Sequence, residues 1–121
     1  MKDINTEAFA ELVALKTELP VVVKFGASWC PPCQEYAPIL DELHDDPDTD
    51  FVIVSVDIDN DRDLALHMGV ESVPTTFVIH DGAALDSREG VLSATELKGW
   101  VKSTCDQPAL VHPRRLEIPN E

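Results

Sequence analysis

The sequence predicts an α/β domain, a small mixed β-sheet of about four to five strands with helices on both faces. Three observations carry that prediction. Two apolar runs, Val21–Phe25 and Phe51–Val56, have the near-continuous hydrophobicity of strands covered on both sides. Between them lies a segment with helical apolar spacing, so the three form a strand–helix–strand unit, which implies a parallel pair joined by a right-handed crossover. Further on, Asp81-Gly82 separates Thr75–Ile79 from Ala83–Glu89, a strong hairpin signal that adds antiparallel strands. The 121 residues amount to one domain.

The elements follow in order. Ile4–Lys16 reads as a first helix, capped by Asn5 or Thr6, with Phe9, Leu12, Val13 and Leu15 as its buried stripe. Pro20 separates it from the strand Val21–Phe25. A second helix follows Cys33 to about His44, with Tyr36, Ile39, Leu40 and Leu43 on one face and Pro38 inside it, where a kink is expected. The polar segment Asp45–Asp50 is a turn before the strand Phe51–Val56. Asp61–Met68 is a short helix closed by Gly69, a good residue for the position after a helix end. After the hairpin, Ala94–Ser103 is a last amphipathic helix bearing Leu97, Trp100 and Val101. From Asp106 the chain is proline-rich and aperiodic. The domain is therefore placed at residues 1–105, with an extended or mobile tail at 106–121.

The net charge is −14 and the pI about 4.4. Such a balance opposes nucleic-acid binding, which wants basic patches. No stretch approaches the length of an apolar membrane span, so no membrane association is expected. Met1–Glu7 has no apolar core of a secretory leader, which points to a cytoplasmic protein. A monomer is the expected state.

Trp29-Cys30-Pro31-Pro32-Cys33 is the stretch that carries chemistry. Two thiols two residues apart, where a strand feeds a helix, read as a redox site. The helix N-terminus offers unpaired N–H groups and partial positive charge, which favour a thiolate, the nucleophilic form. A second thiol within reach can attack the resulting mixed disulfide. A zinc site would use the same spacing but needs two more ligands. Cys105 stands alone, and His44, His67, His80 and His112 share no ligand spacing, so no metal is expected. A purely structural disulfide would close too short a loop to restrict the unfolded chain much.

This order of elements, with the Cys pair after the first buried strand, resembles the thioredoxin family. Val73-Pro74-Thr75 resembles the family's cis-proline loop, which lies against the cysteines. Pro38 matches the proline of the active-site helix, Phe25-Gly26-Ala27-Ser28-Trp29 resembles the approach to the site, and Gly90 matches the glycine that lets a substrate chain lie close. The resemblance covers residues 4 to 104. It implies a thioredoxin fold and a protein-disulfide reductase in which Cys30 attacks and a buried Cys33 resolves. It implies that Trp29 shields the site, that Pro31 and Pro32 shape it, and that Val73 and Pro74 present backbone to an incoming peptide, with Val73-Pro74 cis. It implies no bound cofactor. The redox group is the Cys30–Cys33 disulfide, recycled by an external thioredoxin-reductase-like donor, and the substrates are protein disulfides.

The departures from the family are specific. A buried acid usually stands where Lys24 is, and helps deprotonate the resolving cysteine. Three readings of Lys24 stay open. As an ammonium it favours thiolates, as a desolvated neutral amine it accepts a proton, and as a snorkelling surface residue it does neither. The family's lysine on the neighbouring strand is Ser55, its aromatic residue is Gly26, and its basic residue after the second cysteine is Gln34. Pro31-Pro32 replaces Gly-Pro and resembles tryparedoxins and nucleoredoxins. Proline has no N–H, so the first backbone donor available to Cys30 is Cys33 N–H.

Other features have plainer readings. Asp57–Asp63 resembles the start of a calcium loop, but Arg62 and Met68 stand where Gly and Glu are required, so a strand end and an acidic helix cap are expected instead. Trp100 is read as packing, the histidines as surface residues, Cys105 as a passive thiol, and Arg114-Arg115 as a partner-docking or solvated basic spot. Besides a disulfide reductase, two alternatives remain: a tryparedoxin- or nucleoredoxin-like donor to a dedicated peroxidase, and a thioredoxin-fold module that only binds partners.

Overall fold

The computed structural model describes residues 1–15 and 18–106 and, beyond them, the backbone of residues 114 and 115. Strand β1 (Val21–Gly26) is buried at every position, Lys24 included. Its place inside the sheet and the helices on both sides explain why its sequence is so apolar. It pairs in parallel with β2 (Val52–Asp57) and antiparallel with β3 (Thr75–His80). β3 pairs antiparallel with β4 (Ala83–Glu89), and Arg114–Arg115 adds a two-residue strand, β5, alongside Ala83 and Ala84. The order is β2-β1-β3-β4-β5.

Side-chain alternation sorts the layers. Val21, Val23 and Phe25 pack with Phe9 and Val13 of α1 (Thr6–Ala14) and with Leu64, Ala65 and Met68 around α3 (Arg62–His67). Val22 points the other way, to Tyr36, Leu40 and Leu43 of α2 (Pro31–Asp45) and Leu97, Trp100 and Val101 of α4 (Ala94–Asp106). Lys24 and Gly26 share the face of Val22, so β1 presents both toward α2. The expected mixed sheet between two helical layers is what the chain forms.

Four details differ from the sequence reading. First, α1 ends at Ala14 and Leu15 is 71 % exposed, because Leu15 caps the helix and lies off its buried stripe. Second, α2 begins at Pro31, before Cys33. Proline suits the first helical turn, where its fixed φ fits and its missing N–H would have had no partner. Third, α4 runs on to Asp106, with Cys105 in its last turn. Fourth, β2 is an edge strand with alternating burial, so Val52 and Val54 are only partly covered.

The caps explain where helices start. Asn5 accepts the N–H of Ala8 at 2.9 Å, and Ser93 and Glu96 form a reciprocal pair at 3.1 Å that opens α4. Those hydrogen bonds hold the Glu96 carboxyl below its ordinary range. Asp61 precedes α3 but its side chain does not cap it. It accepts instead from Thr6 N–H at 3.0 Å and the Thr6 hydroxyl at 2.9 Å, tying α1 to α3. The hairpin between β3 and β4 turns through Asp81 (φ 53°) and Gly82 (φ 78°), the left-handed pair that such a turn requires.

Candidate active site

The site lies where β1 runs into α2. Cys30 is the N-cap of α2, and its sulfur accepts Cys33 N–H at 3.2 Å. With Pro31 and Pro32 lacking N–H groups, this is the first donor the helix end offers to Cys30. On the other side the Cys30 thiol meets the Val73 carbonyl at 3.6 Å. The Val73-Pro74 bond is cis, as expected from the resemblance. Thr75 Oγ1 donates to Ser72 O at 2.6 Å and Gly90 N–H donates to Pro74 O at 2.8 Å, which fixes this loop from both ends. Gly90 sits at φ +90°, where a side chain is strained, so its glycine is required by backbone conformation.

Cys30 and Cys33 are each 3 % exposed. The expected contrast in accessibility between them is therefore absent, and what differs is their surroundings. Cys30 looks onto the Val73-Pro74 loop. Cys33 lines a partly open pocket of about 170 Å³ beside the start of α2, together with Lys24, Gly26, Ser55, Asp3 and Asp57. Burial pushes the Cys33 thiol up to about 11, Cys30 adds to the rise, and the Ala27 backbone and the Lys24 charge oppose it. Both cysteines are free thiols.

Trp29 is 62 % exposed. Its indole N–H donates to Asp59 Oδ2 at 2.8 Å, so the ring is held toward the loop after β2. There it borders a groove of about 450 Å³ that also includes Ile58, Arg62, Leu66, Val70 and Val73. Pro31 and Pro32 are exposed at the rim, and Gln34 Nε2 donates to Ser28 O at 2.9 Å across the start of the helix.

Lys24 does not snorkel. It is 9 % exposed and lies beside Cys33. The acidic run after β2 is engaged in local structure. Asp57 accepts Asp59 N–H at 2.8 Å, Asp59 holds Trp29, and Asp61 holds Thr6. Among the described residues no three His, Cys, Asp or Glu side chains gather to hold a metal ion. Trp100 packs in the core, donates to Asp86 at 2.8 Å and carries the Arg88 guanidinium 5.0 Å above its ring. Cys105 is half-buried, and burial and the nearby Asp106 and Asp50 raise its thiol. His44 and His67 are exposed, His80 Nε2 lies 3.1 Å from Glu18 O, and His112 is outside the described residues.

Two contacts at the site escaped sequence reasoning. The Trp29–Asp59 bond spans thirty positions, and the Ser55 hydroxyl donates to Asp3 at 2.6 Å from a segment before α1. Neither leaves a local signal, because both depend on strand pairing. The raised Cys33 and Cys105 thiols have a direct consequence. Brief iodoacetamide treatment of the reduced protein near pH 8 should label Cys30 first and leave Cys33 and Cys105 largely unmodified, read by peptide mass mapping. Preferential labelling of Cys33 would contradict the geometry.

Two thiols at a helix N-terminus, facing a cis-proline loop, define the class of dithiol redox proteins. A thioredoxin family model matches residues 1–103. Thioredoxin of Rickettsia bellii is 30 % identical over 101 residues, covering 84 % of this chain and 95 % of that protein. Thioredoxin of Mycoplasmoides gallisepticum is 35 % identical over 102 residues, covering 84 % and 100 %. The structure of chloroplastic thioredoxin z, described with a type-specific target recognition of its own, superposes with a TM-score of 0.77 at 25 % identity over 88 % of this chain and 96 % of that one. The chain belongs to the thioredoxin family. It is a thiol–disulfide oxidoreductase with a Cys-x-x-Cys motif, acting on protein disulfides. Among the described residues, no helix is long and apolar enough to cross a membrane.

Proposed function

We propose that this chain is a reductant of protein disulfides in which Cys30 attacks and Cys33 resolves. The observation that carries the assignment is the placement of the two sulfurs. Cys30 caps α2 with its sulfur between Cys33 N–H and the Val73 carbonyl, against the cis-proline loop, while Cys33 lies one turn into the helix beside Lys24 and Ser55. The Cys30 thiolate attacks one sulfur of the substrate disulfide. A mixed disulfide forms and the other substrate sulfur leaves as a thiolate. The Cys33 thiolate then attacks Cys30 Sγ, the Cys30–Cys33 bond forms, and the second substrate sulfur leaves. Two electrons pass to the substrate, and its two thiolates take up the protons released by the cysteines.

On this reading Val73, Pro74 and Gly90 receive the substrate backbone, and Trp29, Pro31 and Pro32 shape the rim. No bound cofactor is involved, and an external reductase returns two electrons to the disulfide. Residues 1–105 form the working unit, supported by the extent of the family match and by α4 ending at Asp106. A monomeric cytoplasmic protein that binds neither nucleic acid nor membrane fits the net charge of −14.

Insulin-disulfide reduction with dithiothreitol as electron source tests the proposal. Catalytic amounts of the protein should bring the onset of insulin precipitation forward severalfold. An onset equal to that with dithiothreitol alone would reduce the chain to a partner-binding module.

A further inference from the structure

Lys24 is a buried cation that the two attack steps do not use. Among the described residues it makes no ion pair. In the sheet it stands between Ser55 of β2 and Thr76 of β3, and both are buried and uncharged. Asp3 shares the pocket but accepts the Ser55 hydroxyl at 2.6 Å. Asp57, also in the pocket wall, accepts Asp59 N–H. Gly26 is what admits the amine. A Cβ at position 26 would lie 2.9 Å from Lys24 Cε, 3.2 Å from Lys24 Nζ and 3.3 Å from Cys33 Sγ. Ammonium and thiol thus face each other across a space of about one methyl group, and any other residue at 26 would occupy it.

We propose that Lys24 is a positioning residue for the second half-reaction: its ammonium, admitted beside Cys33 by Gly26, stabilises negative charge on Cys33 Sγ as that sulfur attacks Cys30. The inference rests on Cys33 being the resolving thiol. A charge close to a buried sulfur is screened less than charges spread over the surface, so it acts on that sulfur more strongly than the diffuse field of the −14 chain. The step it assists is loss of the Cys33 proton to solvent, followed by formation of the Cys30–Cys33 bond and departure of the bound sulfur as a thiolate. The charged and titratable groups around Cys33 are Cys30 on α2, Lys24 on β1, Asp57 at the end of β2 and Asp3 in the N-terminal segment. Lys24 alone among them is cationic. Burial holds the thiol high, up to about 11, and Lys24 works against that rise.

The test separates the two attacks. Reduced protein is mixed with Ellman's reagent in a stopped-flow instrument. The first nitrothiobenzoate appears as Cys30 attacks, and the second as Cys33 displaces the adduct on Cys30. Both phases are followed from neutral to about pH 10 in the parent, Lys24→Met, Lys24→Arg and Gly26→Ala, each carrying Cys105→Ser so that the third thiol releases no nitrothiobenzoate. Lys24→Met keeps the stem and removes the charge. Its second phase should run below the parent's across this pH range, as expected when Cys33 ionises less readily. At neutral pH the Cys33 thiolate then falls about tenfold while its intrinsic nucleophilicity rises about threefold, so this phase slows by about threefold. Lys24→Arg should restore the parent profile. Gly26→Ala, which forces the amine away, should fall between parent and Lys24→Met, and the first phase should change little throughout. A second phase in Lys24→Met that matches the parent in rate and titration sinks the proposal. So does an equal slowing of both phases, which marks a general disturbance of the site. Absence of any second phase in the parent is a separate failure, that of Cys33 as resolving thiol.

Discussion

Cys30→Ser abolishes disulfide reduction, with a loss on the order of 10³-fold or more, as expected when the nucleophile itself is removed. A serine hydroxyl at the end of α2 would still accept Cys33 N–H, so the fold and the helix cap persist while the attacking sulfur is gone. Cys33→Ser fails differently. Its Cys30 still attacks, the mixed disulfide forms, and no thiol follows to release it. Turnover stops after one event and the substrate stays covalently bound. Mass spectrometry of each variant after exposure to an oxidised protein such as insulin distinguishes the two. Adducts on Cys33→Ser and none on Cys30→Ser are expected. The opposite distribution exchanges the two roles, and adducts on neither variant remove the dithiol mechanism.

The distinction matters because exposure alone does not assign the roles. Both cysteines are 3 % exposed as residues. The asymmetry that remains is electronic and directional. Cys30 holds the helix N-terminus and meets the Val73 carbonyl, while Cys33 is desolvated and held up to about 11. A nucleophile on the substrate side and a thiol that burial holds high suit a two-step exchange, since the part of that rise due to Cys30 is removed once Cys30 is bonded and ionisation of Cys33 becomes easier at that moment.

Much of this was legible in the residues. Valine runs give buried strands because β-branched side chains fit a pleated surface covered on both sides, and Asp81-Gly82 gives the hairpin because its left-handed turn demands such a pair. The Cys pair at a strand-to-helix junction located the site. Other features were not legible, one for a local reason and two because they depend on contacts between elements. The start of α2 at Pro31 follows from the compatibility of proline with a first helical turn, which competes with its reputation as a breaker. Asp61 looks like a cap for its own helix, yet it serves Thr6, which tertiary packing brings close. Lys24 in an apolar strand shows that something unusual is buried there, but only strand register and the missing side chain of Gly26 reveal that its amine meets Cys33. Pairwise contacts across elements leave no periodic trace in a single sequence.

The largest loss of stability is expected from Phe25→Ala. Phe25 is fully buried at the centre of the face covered by α1 and α3. Its ring meets Phe9 edge-on at 6.3 Å and Phe77 edge-on at 5.5 Å, so truncation removes two aromatic contacts along with the buried area. The neighbours come from α1 and β3, which the sheet holds in place, and such a site collapses poorly around a cavity. A Phe→Ala change of this kind costs about 3–5 kcal/mol, which for a domain of this size lowers the melting temperature by roughly 10–20 °C. Phe25→Leu fills most of the space and should lose only a fraction of that. Phe25 points away from the face that holds Lys24, Gly26 and Cys33, so insulin reduction measured well below the transition should remain close to that of the parent. Calorimetry and activity together check both halves. A melting temperature lowered by less than about 3 °C would mean that the pocket collapses and that the aromatic trio does not anchor this face, and activity lost below the transition would mean that the Phe25 side of β1 also sets the geometry of the thiols.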